Sequence, residues 1–440
     1  MKLNFKAMKI TVIGLGYLGA THAVAMAKLG HEVIGIEPDD AKRESLAKGE
    51  LPFYEPGLDK ALVEVIKQGN IEFKESHEES SKAAELHFIC VGTPQKIGSN
   101  EADTKYLFSA IEGLAPQLSE DSVVVGKSTV PVGTAADLTA YLANLTGFEP
   151  KLAWNPEFLR EGTALEDSLN PDRIVIGTED DYAEQKIREV YKPITDQYNT
   201  PILITDIPTS ELVKAAANSF LATKISFINA MAEIAEVSGA DTVKLAEAIG
   251  MDERIGKQFL RNGIGFGGGC LPKDIRGLIA RAEQLGVGQA VGFLTEVDEI
   301  NLRRRSKVVE LAVNELADPK GKKIAVLGAA FKPDSDDLRD SPALSIALEL
   351  ANKEAQVFIH DPEAFEQLES NQPTLNARED ISEVLKDAEL VILGTEWKQY
   401  KALDPAKLSV KNKTMIDGRN VLDREAWEKA GWKLISLGRG

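Results

Sequence analysis

Cysteine is almost absent: 440 residues contain two, Cys90 and Cys270, with no CxxC or paired-histidine spacing around either. A disulfide framework and a zinc site are not indicated, no metal is expected, and a reducing cytoplasm fits best. Histidine is nearly as scarce. The five (His22, His31, His77, His87 and His360) fall in stretches that read as helices, strands or their ends, and none is assigned to catalysis. Basic charge is in deficit, with 51 Lys and Arg against 69 Asp and Glu, a net of -18. No run of Lys and Arg offsets it locally, so nucleic acid and anionic lipid are repelled rather than bound. Long apolar runs are missing as well. Positions 1–9 are mildly basic and 10–27 apolar, superficially as in a signal peptide, but Gly14, Gly16 and Gly19 stand where such a segment wants Leu or Ala. The stretch 220–235 is broken by Lys224, Asn229 and Glu233 and reads as a buried helix, so no membrane anchor is expected.

What remains is globular in composition: 43% hydrophobic, 27% charged, 35 Gly and 19 Pro. At ~150 residues per domain the chain has room for about three domains. Short β-branched runs at 10–13, 32–36, 86–91, 122–126 and 174–176 alternate with amphipathic stretches, the signature of βαβ units around a parallel sheet. From Thr209, read as an N-cap with Glu211 in the first turn, the pattern turns helical and stays apolar nearly all round after Phe220. Such a helix needs burial on several sides, which implies a homodimer or larger homo-oligomer. A second helical pattern, 291–316, carries Leu294, Val297, Ile300, Val308 and Leu311 and reads as a connecting strut. Beyond it the strand-helix alternation resumes in the same words. Lys323-Ile324-Ala325-Val326-Leu327-Gly328 echoes Lys9-Ile10-Thr11-Val12-Ile13-Gly14, and the 389–395 strand echoes that of 85–93. The expected fold class is α/β, two Rossmann-like parallel-sheet domains joined by a helical central domain, with boundaries at 1–208, 209–317 and 318–440.

Gly14-Leu15-Gly16-Tyr17-Leu18-Gly19 follows a strand and opens a helix, where glycines permit the tight turn, the approach of a pyrophosphate and close helix-strand packing. Glu37 ends the second strand, placed to accept from a ribose diol and to oppose a 2'-phosphate, which favours NAD over NADP; Lys42 and Arg43 stand nearby. The second half has one glycine in Gly328-Ala329-Ala330-Phe331-Lys332, so it is expected to bind something else, and Lys332, Arg339 and Arg419 follow strands where cations suit phosphates. The sharpest motif is Gly263-Ile264-Gly265-Phe266-Gly267-Gly268-Gly269-Cys270-Leu271-Pro272-Lys273-Asp274. Pro272 suits a first helical turn, so Cys270 sits at or just before a helix N-terminus, where the dipole and Lys273 favour a thiolate nucleophile. The glycines would let a substrate approach the backbone. Cys90, inside its strand, reads as an inert small hydrophobe. Lys214 and Asn218 lie one turn apart on an otherwise apolar helix, Asn155 to Gly162 places two acids around a turn, and Ser128 to Gly133 follows a strand of the first sheet.

Taken together these segments, with Val91-Gly92-Thr93-Pro94, Phe331-Lys332-Pro333 and Asp417-Gly418-Arg419, resemble the UDP-glucose/GDP-mannose dehydrogenase family nearly end to end. The Phe158-Leu159-Arg160-Glu161-Gly162 and Arg254-Ile255-Gly256 segments look most like its UDP-glucose branch. The resemblance implies a two-fold oxidation of a nucleotide sugar's primary alcohol to a carboxylate with NAD, through a thiohemiacetal and a thioester on Cys270. It implies that Lys214 and Asn218 stabilise the oxyanion, that Asp274 and Thr129 assist proton transfer through water, and that Glu157 is the base for hydrolysis. Tyr17, Leu18, Lys42, Thr93, Ser128, Thr129, Lys273 and Arg339 would join the glycines and Glu37 on the cofactor, and Glu161 would line cofactor and sugar. Phe158, Leu159 and Arg160 would clamp the substrate through backbone groups, while Arg261, Phe266, Gly267, Lys332 and Arg419 would hold the nucleotide. Arg254 would reach a neighbouring subunit's substrate. Other sugars on the same scaffold (GDP-mannose, a UDP-N-acetylhexosamine), a single-step β-hydroxyacid dehydrogenase and an NAD-responsive regulator are the alternatives. The cysteine in its glycine run argues against the single-step enzyme, and the intact set of Cys270, Lys214 and Asn218 against the regulator.

Overall fold

The computed structural model describes residues 6–77 and 82–439; positions 1–5 of the mildly basic N-terminal stretch lie outside them. The chain divides into two compact units, Met1–Ala217 with Glu283–Leu285, and Asn218–Ala282 with Gly286–Gly440.

The first unit is built on eight strands: β1 (Lys9–Ile13), β2 (Glu32–Ile36), β3 (Ile71–Lys74), β4 (Leu86–Ile89), β5 (Val123–Gly126), β6 (Lys151–Trp154), β7 (Ile174–Gly177) and β8 (Ile202–Thr205). Their order is β3-β2-β1-β4-β5-β6-β7-β8. The inner strands are continuous apolar runs because both faces are covered, and Val12, Phe88, Val123, Val125 and Ile176 have no exposed surface. One face packs on Tyr17–Lys28, whose small Ala and Gly residues let it lie close to the sheet. Lys105–Leu114 and Thr134–Thr146 cover the other. The expected parallel sheet is interrupted once, since β7 meets β6 antiparallel at Trp154 and Gly177. An antiparallel neighbour needs no helical crossover on the sheet face, which frees residues 155–173 to stand at the strand end as a loop with one short helix.

The second unit carries β9 (Lys323–Leu327), β10 (Gln356–His360), β11 (Asn376–Ala377), β12 (Leu390–Leu393), β13 (Thr414–Asp417) and β14 (Lys433–Ser436), in the order β11-β10-β9-β12-β13-β14 and parallel throughout. The helix Phe293–Leu316 covers part of this sheet through Val308, Val309 and Ala312. It is more than the strut its apolar periodicity suggests, because it also buries Asn301, Arg304 and Arg305.

One helix, Ile207–Ser238, continues across the boundary in the chain. It starts two residues earlier than Thr209, and the cap is Asp206, which accepts from the Thr209 N–H (2.7 Å) and hydroxyl (3.0 Å). Glu211 leaves its own helix and caps another, accepting from Gly133 N and Ala135 N at 2.7 Å each. The all-round burial expected after Phe220 does not hold within one chain: Phe220 is 68%, Phe227 49%, Ile234 57% and Val237 88% exposed. Among the described residues no helix is long and apolar enough to cross a membrane.

Candidate active site

In the first unit the chain leaves β1 through Gly14 at φ +84°, where a Cβ would come within 2.7 Å of Val91. At Gly19 a Cβ would sit 1.8 Å from the Gly14 carbonyl, so helix and strand touch only because no side chain intervenes. Gly16 differs: its Cβ would meet nothing within 4 Å, and it precedes the helix Tyr17–Lys28 with no side-chain cap. That open, exposed place beside helix N–H groups fits a pyrophosphate. Glu37, 7% exposed, accepts from Leu15 N (3.0 Å) and Asp39 N (3.1 Å), and so stands beside the same turn where a ribose would lie. Of the neighbouring cations, Arg43 is spent on the Glu37 carbonyl and on Asp40, and Lys42 is exposed. Thr93 donates to the Thr129 carbonyl and Ser128 to the Val91 carbonyl, each at 2.6 Å, which stitches together the exits of β4 and β5.

Residues 155–164 form the second wall of this unit. Glu157 pairs with Lys214, Oε1 to Nζ 3.0 Å, with both side chains largely buried, and Glu157 also receives Leu159 N at 2.5 Å. Phe158 lies under Lys214 (5.7 Å) and against Arg173 (3.9 Å). Arg160 is held by Asp167 on the surface. A residue that pattern reading passes over organises the rest: Glu55, 3% exposed, accepts from Gly162 N (2.6 Å), Ala164 N (2.7 Å) and the Tyr17 hydroxyl. It ties the dinucleotide turn to the loop bearing Glu161, and burial together with this acid keeps the Tyr17 phenol protonated. Its sequence signal is faint, an acid inside Phe53-Tyr54-Glu55-Pro56-Gly57. Cys90 is an inert thiol, pushed up to about 12 by burial.

In the second unit Cys270 immediately precedes the helix Leu271–Gln284 and is exposed. One turn on, Asp274 is 4% exposed, with Asn218 Nδ2 at 2.6 Å and Lys273 Nζ at 2.9 Å. Lys273 therefore lies close to the thiol in sequence but spends its charge on a carboxylate. Carboxamide, carboxylate and ammonium thus gather in the first helical turn after the thiol. The glycines before it have a packing purpose as well. A Cβ at Gly265 would meet Asn301 Oδ1 (2.3 Å), at Gly267 the Asp340 carbonyl (2.3 Å), at Gly268 the Phe331 ring (2.8 Å) and at Gly269 the Arg339 guanidinium (2.3 Å). They let the loop close on the protein's own groups. Phe266 is 6% exposed and fixed by Asn301, which accepts from its N–H (2.7 Å) and donates to its carbonyl (3.0 Å). Arg305 and Arg304 add donors to the Phe266 and Gly263 carbonyls. No apolar period announces these three polar residues.

Arg419 spends its three nitrogens on the carbonyls of Gly394 (2.8 Å), Gly265 (3.0 Å) and Phe331 (3.1 Å). Arg339 is paired with Asp337 beside Gly269, and Lys332 is half-buried with its ammonium 5.4 Å from the Phe331 ring. Arg254 is bound to its neighbour Asp252 and exposed, as is Arg261.

Only the first sheet keeps an opening at its glycine turn, and with Glu37 beside it that opening defines a dinucleotide-binding sheet. The family models agree segment by segment. They match the NAD binding domain of the UDP-glucose/GDP-mannose dehydrogenase family over residues 8–195, its central domain over 208–303 and its UDP binding domain over 325–424. A UDP-glucose 6-dehydrogenase of Rickettsia felis is 40% identical over 98% of this chain and 96% of its own. Among solved structures, a UDP-glucose dehydrogenase from Pyrobaculum islandicum superimposes with a TM-score of 0.91 at 37% identity, covering 100% of this chain and 99% of its own. A UDP-D-ManNAc dehydrogenase from Pyrococcus horikoshii gives 0.86 at 27%, covering 98% and 100%. The chain belongs to the UDP-glucose/GDP-mannose dehydrogenase family.

Proposed function

We propose that this protein oxidises the C6 alcohol of UDP-glucose to the carboxylate of UDP-glucuronate in two steps at one site. The observation that carries the reading is the exposed Cys270 at the N-terminus of Leu271–Gln284, one turn from an Asp274 held by Asn218. A helix N-terminus favours the thiolate. When bound, NAD accepts a hydride from C6 in each of the two oxidations, so two NAD are consumed per sugar.

The chain supplies the rest. Lys214 and Asn218 steady the oxygen on C6 as it loses its proton, and Asp274 and Thr129 assist the transfer of that proton through water. The Cys270 sulfur adds to the aldehyde carbon and its oxygen gains a proton, giving a thiohemiacetal whose oxidation leaves a thioester. Glu157 then takes a proton from water as the new C–O bond forms, the C–S bond breaks and Cys270 leaves as thiolate. The Glu157–Lys214 pair supports this reading because it holds a carboxylate and an ammonium 3.0 Å apart with little exposure.

For binding, Gly14, Gly16, Tyr17, Leu18, Gly19, Glu37 and Lys42 hold the cofactor, helped by Thr93, Ser128, Lys273 and Arg339. Glu161 serves cofactor and sugar, and Phe158, Leu159 and Arg160 present backbone groups to the sugar. Arg261, Phe266, Gly267, Lys332 and Arg419 frame the nucleotide, with Arg419 acting largely by holding its carbonyls in place. Segments 1–208, 209–317 and 318–440 divide these tasks as cofactor, dimerisation and nucleotide portions, in a reducing cytoplasm. The exposed stripe Phe220, Phe227 and Ile234, at seven-residue spacing, supports a homodimer through this helix, in which Arg254 serves the neighbouring site. Supplying purified protein with UDP-glucose, GDP-mannose and UDP-N-acetylhexosamines tests the function. UDP-glucose is expected to yield two NADH per sugar; one NADH per sugar, or a preference for another sugar, overturns it.

A further inference from the structure

Lys127 follows β5 and is 6% exposed, yet the hydrogen-bond partners that hold it are neutral groups rather than carboxylates. Its ammonium instead donates to Asn155 Oδ1 (3.0 Å), the Asn155 carbonyl (3.4 Å) and the Tyr191 hydroxyl (3.2 Å), and it faces the Phe88 and Tyr191 rings at 5.9 and 5.8 Å. Tyr191 in turn donates to Asn155 Oδ1 at 2.6 Å. A buried cation held by neutral groups is costly, so a fold that keeps one gains something specific from three directed donors.

The ammonium and the Tyr191 hydroxyl converge on Asn155, the residue that follows β6. Asn155 donates its side-chain N–H to the Val175 carbonyl (2.7 Å) on antiparallel β7, and its backbone N–H to the Gly126 carbonyl (2.8 Å) on β5. It is thereby fixed to the strand on either side at the one point where the sheet changes direction. Two residues later stands Glu157, paired to Lys214 at 3.0 Å. A cavity of about 70 Å³ adjoins the cluster, lined among others by His22, Lys127, Asn155, Glu157 and Tyr191. At about 30 Å³ per water in the liquid it has room for roughly two waters. Among the described residues His22 Nε2 has no hydrogen-bond partner, and burial followed by the nearby Lys127 charge keeps this imidazole neutral.

We infer that Lys127 is the positioning residue of Glu157: through Asn155 and Tyr191 it fixes the root of the loop on which the base for thioester hydrolysis stands. The inference rests on the reading of Glu157 given under Proposed function. Lys127 lies outside the proposed cofactor turn Gly14 to Gly19, so its loss falls on the 155–162 loop and leaves that turn intact.

The test compares wild type, Glu157→Gln, Lys127→Met and Tyr191→Phe as full-length proteins with UDP-glucose and NAD. Steady-state NADH formation is followed together with the intact mass of rapidly quenched enzyme. Glu157→Gln is expected to accumulate the acyl-enzyme. Lys127→Met is expected to accumulate it too, with kcat lowered about 10²-fold, the scale of a small misplacement of a catalytic group, and KM for NAD within about twofold. Tyr191→Phe, which removes one hydroxyl, gives the same adduct with a smaller loss and decides the matter if Lys127→Met does not fold. Wild-type kcat in either variant, or slow turnover without adduct while Glu157→Gln accumulates it, overturns the role of Lys127. No adduct in Glu157→Gln overturns the reading of Glu157 itself, and the inference with it.

Discussion

The two sheets begin alike and diverge within three residues. Gly14 (φ +84°) and Gly328 (φ +98°) leave equivalent first strands, each donating its N–H to the end of the neighbouring strand, to Ile36 at 2.9 Å and His360 at 2.8 Å. Then Gly16 stands exposed while Ala330 in its place is fully buried. The acid that follows the second strand differs to match. Glu37 takes one turn N–H, from Leu15, whereas Asp361, 2% exposed, takes two from Ala329 (2.7 Å) and Ala330 (2.9 Å) and the Trp397 indole at 3.2 Å. In the first sheet the helix starts at Tyr17; in the second it starts at Pro342, behind Ser341 as cap. The same strand frame therefore offers an open anion cradle in one case and a turn sealed by its own carboxylate in the other. Whether a Rossmann-like sheet takes a dinucleotide is decided by these few side chains rather than by the topology.

That comparison can be broken in order of expected effect. Gly16→Val adds a Cβ that meets no protein atom within 4 Å and fills the cradle, so NAD affinity is expected to fall about 10³-fold with stability changed by no more than about 0.5 kcal/mol. Calorimetric titration and a urea curve read both; tight NAD binding by the variant would mean the pyrophosphate lies elsewhere.

Asp361→Ala should do the reverse. It strands four buried donors, the N–H groups of Ala329, Ala330 and Ala364 and the Trp397 indole, costing about 4 kcal/mol in the second unit, and leaves NAD affinity alone. Hydrogen exchange resolved by unit would show it, and an unchanged second unit would contradict the sealing role.

Acid separates the units as well. His22, His31, His77 and His87 lie in the first and only His360 in the second, and burial lowers all five, His87 to about 3. Because the unfolded chain binds these protons first, stability is lost as pH falls through the ordinary histidine range, continuing to about 3 for His87. His87 alone contributes about 2 kcal/mol of that loss by pH 5. The first unit should therefore open before the second between pH 7 and 5, again by hydrogen exchange; simultaneous opening would contradict this. The smallest effect is expected from Glu37→Ala, about tenfold weaker NAD and a narrower gap to NADP, measured from kcat/KM with each cofactor.

The legible parts of the sequence were those where one residue type is forced locally. The glycine turn, the repeated first strands and Cys270 before Pro272 are of that kind, since steric room and helix starts leave their mark within a few positions. Glu55, Asn301, Arg304 and Lys127 left no mark because their partners are distant in sequence: Glu55 meets Gly162 across 107 positions and Asn301 meets Phe266 across 35. Glu211 shows the same limit from the other side, since a first-turn acid looks like a cap for its own helix and serves another. The glycines at 265–269 were visible, but their packing purpose was not. Only the packed structure shows Asn301, Asp340, Phe331 and Arg339 filling the space they leave.

The central claim is that Cys270 captures the aldehyde covalently, and the most direct measurement is the mass of the enzyme itself. Cys270→Ser mixed rapidly with UDP-glucose and NAD is expected to carry a covalent sugar-nucleotide adduct, since an ester on serine forms and hydrolyses far more slowly than a thioester. Cys270→Ala, in the same experiment, is expected to carry none and to form no acid while binding both ligands as wild type does. UDP-glucuronate made by Cys270→Ala at near wild-type rate, with two NADH per sugar, would contradict the covalent mechanism and leave Cys270 a packing residue at the end of a glycine loop.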